Sequence, residues 1–289
     1  MEKSNMSYKQ FRKNVLVRLE TYKKGVLKIE EKGIFRYKGE KYEPEHILPI
    51  SKGKSKKYIV KEYNVLSCLN GEDFLIEKDL HRYAHHLNSS QLMCYNFFRP
   101  YIIKEGGKTC PNDALMDLLS KYIVINQCDD AECHFEYVQG GDYEGEGTNF
   151  DFYLKSGKTE VFFEIKYTEA GFGKCENDGR HKDKFVRIYN GLIKKCPAIK
   201  ESISFNDEFC KNYQLFRNSI RATGKNKYVI FIYDENNPYC KNQLDEFLRK
   251  FITDDYKMNI IGITWQDLVH QLKSPHKDEF IDKYLSYQK

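Results

Sequence analysis

Asp151, Glu164 and Lys166 are the residues of this 289-residue chain whose types and spacing best suit chemistry. They lie in Thr148 to Thr168, where two runs rich in Phe, Tyr, Val and Ile flank Lys155-Ser156-Gly157-Lys158. That polar segment reads as a hairpin loop, with Gly157 supplying the positive φ such a loop needs. Closure between Lys155 and Lys158 would set Asp151 opposite Phe162 and Asn149 opposite Glu164. Side chains alternate along a strand, so Phe150, Phe152, Leu154, Val161, Phe163 and Ile165 would share an apolar face. Asn149, Asp151, Tyr153, Phe162, Glu164 and Lys166 would share the other, with Asp151 diagonal to Glu164 at roughly 7 to 8 Å.

Two carboxylates so placed can converge on a hard cation. Mg²⁺ takes oxygen ligands and needs only one or two protein carboxylates, with waters and substrate phosphate completing its shell. Asp151 and Glu164 fit that role, with the backbone carbonyl of Ile165 as a further ligand. Lys166 could orient the attacking water or stabilise charge on a phosphodiester. The bland alternative is a solvent-facing strand, since acid-x-Lys triplets are common and Glu30-Glu31-Lys32 and Asp255-Tyr256-Lys257 also occur. Only Glu164-Ile165-Lys166 has an Asp on a preceding, paired strand, and spacing alone leaves both readings open.

The order helix, strand, strand, strand, helix, strand, with Asp151 followed by Glu164-Ile165-Lys166, resembles the PD-(D/E)XK or restriction-endonuclease-like superfamily. The segment from His85 through Gln91 to Asn96, together with Lys166-Tyr167-Thr168-Glu169, is similar to a bacterial branch of it. The resemblance covers roughly residues 80 to 235. It implies Mg²⁺-dependent DNA cleavage, with Mn²⁺ as a substitute, and a role in restriction or defence. Repair or recombination would use the same chemistry. A non-catalytic DNA-binding protein on a nuclease fold is the alternative from another class. No Pro precedes Asp151, where Asn149 and Phe150 stand.

The elements that must position this site follow from periodicity. Tyr8, Phe11, Val15 and Leu19 have the spacing of an amphipathic helix, and short strands are expected at 26–29 and 34–37. Helices are expected over 77–98, broken or capped at Asn88-Ser89-Ser90, and over 113–122, and strand 134–138 would open the catalytic sheet. Helices near 184–195 and 209–222 follow the site. The all-apolar run 228–233 reads as a strand covered on both faces. A helix, strand and helix over 243–251, 259–263 and 265–272 close the chain. The fold class expected is α/β, a restriction-endonuclease-like core with a mixed central sheet flanked by helices and an N-terminal basic extension. Residues 1–70 form that extension and 71–289 the nuclease domain.

Several residues could assist. Glu136, on the first strand of that sheet, can add a carboxylate to the cleft. Gln91, in the segment of family likeness, is expected as a helix-borne polar contact. Gln214 and Arg217 can face DNA from the helix after the catalytic strands. The Gly-rich acidic loop from Gly140 to Gly147, which leads to Asp151, is a further candidate for DNA contact.

Residues 1–70 carry 17 Lys and Arg against 8 Asp and Glu, whereas the other 219 residues carry 30 against 34. Within the basic stretch Lys54, Lys56 and Lys57, in Lys52-Gly53-Lys54-Ser55-Lys56-Lys57, are candidates for phosphate contact. A solvated loop is the competing reading.

No 18-residue apolar run and no signal-like start are present, so a cytoplasmic protein without membrane partners is expected. Nine cysteines without a framework read as reduced thiols. Cys128, Cys175, Cys196 and Cys210 lack the compact spacing of an iron–sulfur site. His81 and His85 have helical metal-ligand spacing but no third ligand. His46 with Asn64 resembles the opening of an HNH nuclease motif that then lacks its last residue. DNA is the expected partner, and a homodimer that addresses two strands is left open.

Overall fold

The computed structural model describes residues 6–50, 54–69, 72–76, 79–139, 147–200, 202–271 and 276–286. The chain divides into two compact units, 1–100 with 265–289, and 101–264. The boundary expected at 70/71 falls inside the first, and residues 140–146, Lys52 and Gly53 lie outside the described residues. No described helix is long and apolar enough to cross a membrane.

The first unit holds α1 (Tyr8–Gly25), the hairpin β1 (Phe35–Tyr37) and β2 (Glu40–Tyr42), α2 (Lys56–Ile59), α3 (Ser90–Phe98), and, after the chain returns, α9 (Trp265–His270) and α10 (Lys277–Tyr284). Ser7 caps α1 by accepting from the Gln10 N–H, and Phe11, Val15, Leu19 and Tyr22 form its buried stripe. Phe97, Trp265 and Phe280 meet edge-on or tilted, with centroids 5.2 to 5.7 Å apart. No strand forms over 26–29, and the pairing partner of 35–37 lies after a turn at Lys38-Gly39. The helix expected from residue 77 starts only at Ser90, because the Ser89 hydroxyl accepts from the Leu92 N–H and caps it there.

The second unit is built on a mixed five-stranded sheet. Its elements are the hairpin β3 (Ile102–Glu105) and β4 (Lys108–Pro111), α4 (Asp113–Leu119), β5 (Glu132–Gln139), β6 (Thr148–Ser156), β7 (Thr159–Ile165), α5 (Gly179–Lys184), α6 (Asn190–Lys195), α7 (Tyr213–Ser219), β8 (Lys227–Tyr233), α8 (Pro238–Phe251) and β9 (Ile260–Thr264). The sheet order is β5-β6-β7-β8-β9. The first three strands are antiparallel, and β7, β8 and β9 run parallel. A parallel step needs a crossover, and the helical segment from Gly179 to Ser219 supplies the one between β7 and β8.

Both faces of this sheet are covered. Phe152, Leu154, Val161, Phe163 and Ile165 are buried, as expected for the apolar face. On the other, Tyr153 and Phe162 join Phe172, Phe216, Phe231 and Phe247 in one cluster beneath the helices, and Phe150, expected on the first face, packs in this cluster instead, with its ring centroid 4.9 Å from that of Phe162. Every residue of Tyr228–Tyr233 is buried, as the absence of alternation requires.

The β6–β7 register corrects one expectation. The turn is the two residues Gly157-Lys158, with Gly157 at φ +57° and Ser156 paired to Thr159. The pairing is two residues away from the expected one, which keeps the faces of the paired residues and moves their partners. Tyr153 pairs with Phe162 and Phe152 with Phe163, and the ladder ends there, one residue short of Asp151 and Glu164. The turn has the expected two residues but falls one residue later, because that places Gly157 at its first position, where a positive φ is needed.

Candidate active site

The antiparallel ladder of β6 and β7 has its last pair at Phe152 and Phe163. Past that point the Ile165 N–H donates to Asp151 Oδ2 at 2.7 Å, so a side chain takes up a backbone donor. The other edge of β7 stays paired, as Ile165 aligns with Ile232 and the Lys166 N–H donates to the Ile232 carbonyl at 2.8 Å. Asp151 is thereby tied to the strand that carries Glu164 and Lys166.

Glu164 is only 3 % exposed, which excludes a solvent-facing acid. Its Oε1 accepts from Lys166 Nζ at 2.6 Å and from Gln214 Nε2 at 2.6 Å, and its Oε2 accepts from Asn218 Nδ2 at 2.8 Å. Charge-assisted bonds of this kind hold a carboxylate in one orientation. Gln214 and Asn218 are one turn apart on α7, so both reach the same carboxylate. Leu215, Phe216 and Ser219 of the same helix are buried beside Asn218.

The electrostatics show excess negative charge. Burial raises the Asp151 pKa well above the usual carboxylate value, and Glu164 and Glu136 raise it further, against the opposing effects of Lys166 and the Ile165 N–H. Burial works against the charge on Lys166, but Glu164, Glu169 and Asp151 outweigh it and hold the pKa above the ordinary lysine value. Lys166 is therefore a fixed cation. Glu169 is itself fixed, accepting the Tyr167 N–H at 2.7 Å.

The other anticipated residues divide clearly. Glu136 sits on β5 at φ +49°, across from Asp151 in the β5–β6 register, and accepts from Asn149 Nδ2 at 2.9 Å. Gln214 reaches the site. Arg217 donates to the Gly147 carbonyl at 2.8 Å, and Arg221, one turn later, donates to Thr148 Oγ1 at 3.1 Å. Both arginines thus hold the start of β6. Gln91 is in the first unit, where its amide accepts the His81 N–H and donates to the Asp79 carbonyl, both at 2.9 Å. Lys54, Lys56 and Lys57 are also there, Lys54 lying 4.7 Å from the Tyr58 ring centroid and Lys56 donating to the His81 carbonyl. Asn64, of the HNH-like segment, donates to the Ala84 and His86 carbonyls and is a buried brace.

Sequence reasoning missed Asn218, Arg221 and Glu169. Gln214-x-x-x-Asn218 is an i,i+4 pair on α7, and Arg217-x-x-x-Arg221 repeats that spacing with Arg221 in the turn just past the helix end. Glu169 closes a run, Lys166-Tyr167-Thr168-Glu169, already marked by its likeness to a family.

Among the described residues no group of three or more His, Cys, Asp and Glu side chains is arranged as a complete metal cage. The donor set is two carboxylates and the Ile165 carbonyl, which suits a cation that keeps most of its water. The raised Asp151 pKa marks negative charge that a divalent cation would relieve. The residues present fit Mg²⁺.

A family model described as REase-ARP, restriction endonuclease associating with ARP, matches residues 16–285. The chain belongs to this family. Neither the curated proteins nor the solved structures give a match. The REase-ARP match reaches into both units, and its description supports a nuclease-like role for the chain. All nine cysteines of this REase-ARP chain are free thiols. Of the four considered for a cluster, Cys175 and Cys210 are brought together, with sulfurs 2.9 Å apart, while Cys196 turns to the Ser219 and Ala222 carbonyls.

Proposed function

We propose that this chain is a metal-dependent DNA endonuclease on a PD-(D/E)XK core, serving restriction or defence against foreign DNA. The observation that carries the reading is the buried Glu164 carboxylate, clamped at both oxygens, beside Asp151 and Lys166. The order α4, β5, β6, β7, helical crossover, β8 supports the core assignment. The family description supports DNA as substrate and an ARP partner in the working form.

Asp151, Glu164 and the Ile165 carbonyl would hold Mg²⁺, or Mn²⁺ in its place. Bound there, the cation supplies Lewis-acid polarisation of the scissile phosphate and of water. Lys166, fixed as a cation, offers hydrogen bonds to the charge that develops on phosphate oxygens and is not the proton acceptor. Gln214 and Asn218 keep Glu164 aimed, so little reorganisation accompanies the reaction.

The test is cleavage of supercoiled plasmid with Mg²⁺, Mn²⁺ or EDTA, comparing wild type with Glu164→Ala. Metal-dependent nicking or linearisation is expected, falling by about 10³ in the variant. Binding without cutting in every metal would refute the catalytic reading and favour a non-catalytic DNA-binding protein.

A further inference from the structure

The β1–β2 hairpin of the first unit is the part of the molecule whose exposure and charge the site does not use. Its pairs are Phe35 with Tyr42, Arg36 with Lys41, and Tyr37 with Glu40. Alternation puts the aromatic residues and Glu40 on one face and Arg36 with Lys41 on the other. The turn residues Lys38 and Gly39 have φ +49° and +85°, the two successive positive values of a tight type I′ turn.

The aromatic face is anchored at its base. Phe35 stacks on Tyr42 at 5.3 Å and meets Tyr83 and His86 edge-on at 5.9 and 5.4 Å. Tyr42 OH donates to Glu40 Oε2, which keeps that carboxylate on the aromatic side. The tip is open, since a Cβ added at Gly39 would meet nothing within 4 Å. Arg36, Lys38 and Lys41 are all exposed, and Tyr37 is 51 % exposed. Lys41 pairs with Glu43, Lys38 lies over the Tyr37 ring, and Arg36 has no ion-pair partner among the described residues.

Arg36 stands directly across from another cation, Lys41, and Glu43 offsets only Lys41, so Arg36 is left without a counter-charge of its own on that face. An anion against that face would supply one. A two-stranded ribbon also has the width that the major groove of B-DNA admits, and Arg and Lys are the side chains that read guanine edges and neutralise phosphates there. From this match of charge and shape, we infer that the β1–β2 ribbon is a duplex-DNA contact, inserting its Arg36–Lys41 face and Lys38 tip into the major groove. This rests on the nuclease reading for its ligand.

The test is fluorescence anisotropy of a labelled duplex in EDTA, where cutting is blocked. Wild type is compared with Arg36→Ala/Lys38→Ala and with Lys9→Ala/Lys13→Ala, an equal charge loss on exposed positions of α1. The ribbon variant is expected to bind about tenfold more weakly, with a salt slope smaller by about one for each phosphate it no longer neutralises, and the α1 variant to bind as wild type does. Equal affinities in wild type and ribbon variant, or equal losses in the two variants, would overturn the ribbon assignment alone. Equal competition by RNA or single strands would overturn the duplex assignment, and wild type that neither binds nor cuts duplex DNA would overturn the nuclease reading with it.

Discussion

Lys166 and Lys283, one from each unit, meet opposite fates. Lys166 in the second unit has Glu164, Glu169 and Asp151 around it and keeps its charge beyond the usual lysine range. Lys283 in the first unit is fully buried, donates to the Asn64 carbonyl and lies near the rings of Tyr22 and Tyr284. Burial dominates there, Glu279 opposes it, and the pKa falls to about 7. Burial alone therefore says nothing about chemistry. Company decides it: carboxylates make one lysine a fixed cation in a charged site, and a carbonyl with aromatic rings makes the other a structural plug.

The sharpest way to break this comparison is to remove each ammonium in turn. Lys166→Met should lower plasmid cleavage by about 10³ with the fold intact by circular dichroism. Equal cleavage in this variant would place the essential cation elsewhere.

Lys283→Met should leave cleavage unchanged and act on stability. Because the folded pKa of about 7 lies below the ordinary unfolded value, the unfolded chain binds more protons between them. Stability should therefore rise with pH from about 7 towards 10, and the Met variant should flatten that rise. At pH 7 the variant should gain roughly 1–4 kcal/mol, read from urea midpoints at pH 7 and 9.5. The Asn64 carbonyl keeps the Asn96 amide at 2.9 Å, so no acceptor is stranded.

Next comes the aim of Glu164. Asn218→Ala frees one carboxylate oxygen and should cost about 10- to 100-fold in turnover. Gln214→Ala should cost less, because Oε1 retains Lys166. The reverse ranking would show that Oε1 carries the orientation.

The smallest expected effect is at Glu136. Removing this negative charge in Glu136→Gln lowers the Asp151 pKa, so the carboxylate persists to lower pH. The acid limb of cleavage, measured at limiting Mg²⁺, should move to lower pH, with about a two- to fivefold gain at pH 6. A limb that stays in place would uncouple Glu136 from the site.

Much of the second unit was legible beforehand. The alternating runs around Gly157 predicted a hairpin with Asp151 and Glu164 on one face, and the unbroken apolar run at Tyr228–Tyr233 predicted a buried strand. The pairing register was not, because the faces depend only on parity whereas the partners depend on which two residues form the turn. The first unit was harder to read. Residues 79–89 carry His, Tyr and Leu at spacings that suit a helix, yet the Asn64 amide bonds the Ala84 and His86 carbonyls and holds them in turns. No local pattern announces a brace 20 residues away.

The sequence by itself determined the strand alternation, the acid-x-Lys triplet and the i,i+4 spacing of Gln214 and Asn218, since each is a local consequence of backbone geometry. Tertiary structure alone decided that Asp151 accepts the Ile165 N–H beside Glu164, that Gln214 and Asn218 close on that carboxylate from 50 and 54 residues away, and that the pKa values of Lys166 and Lys283 move in opposite directions. Those outcomes depend on distances between elements remote in the chain, and electrostatic energy in a buried site is set by such distances rather than by residue type.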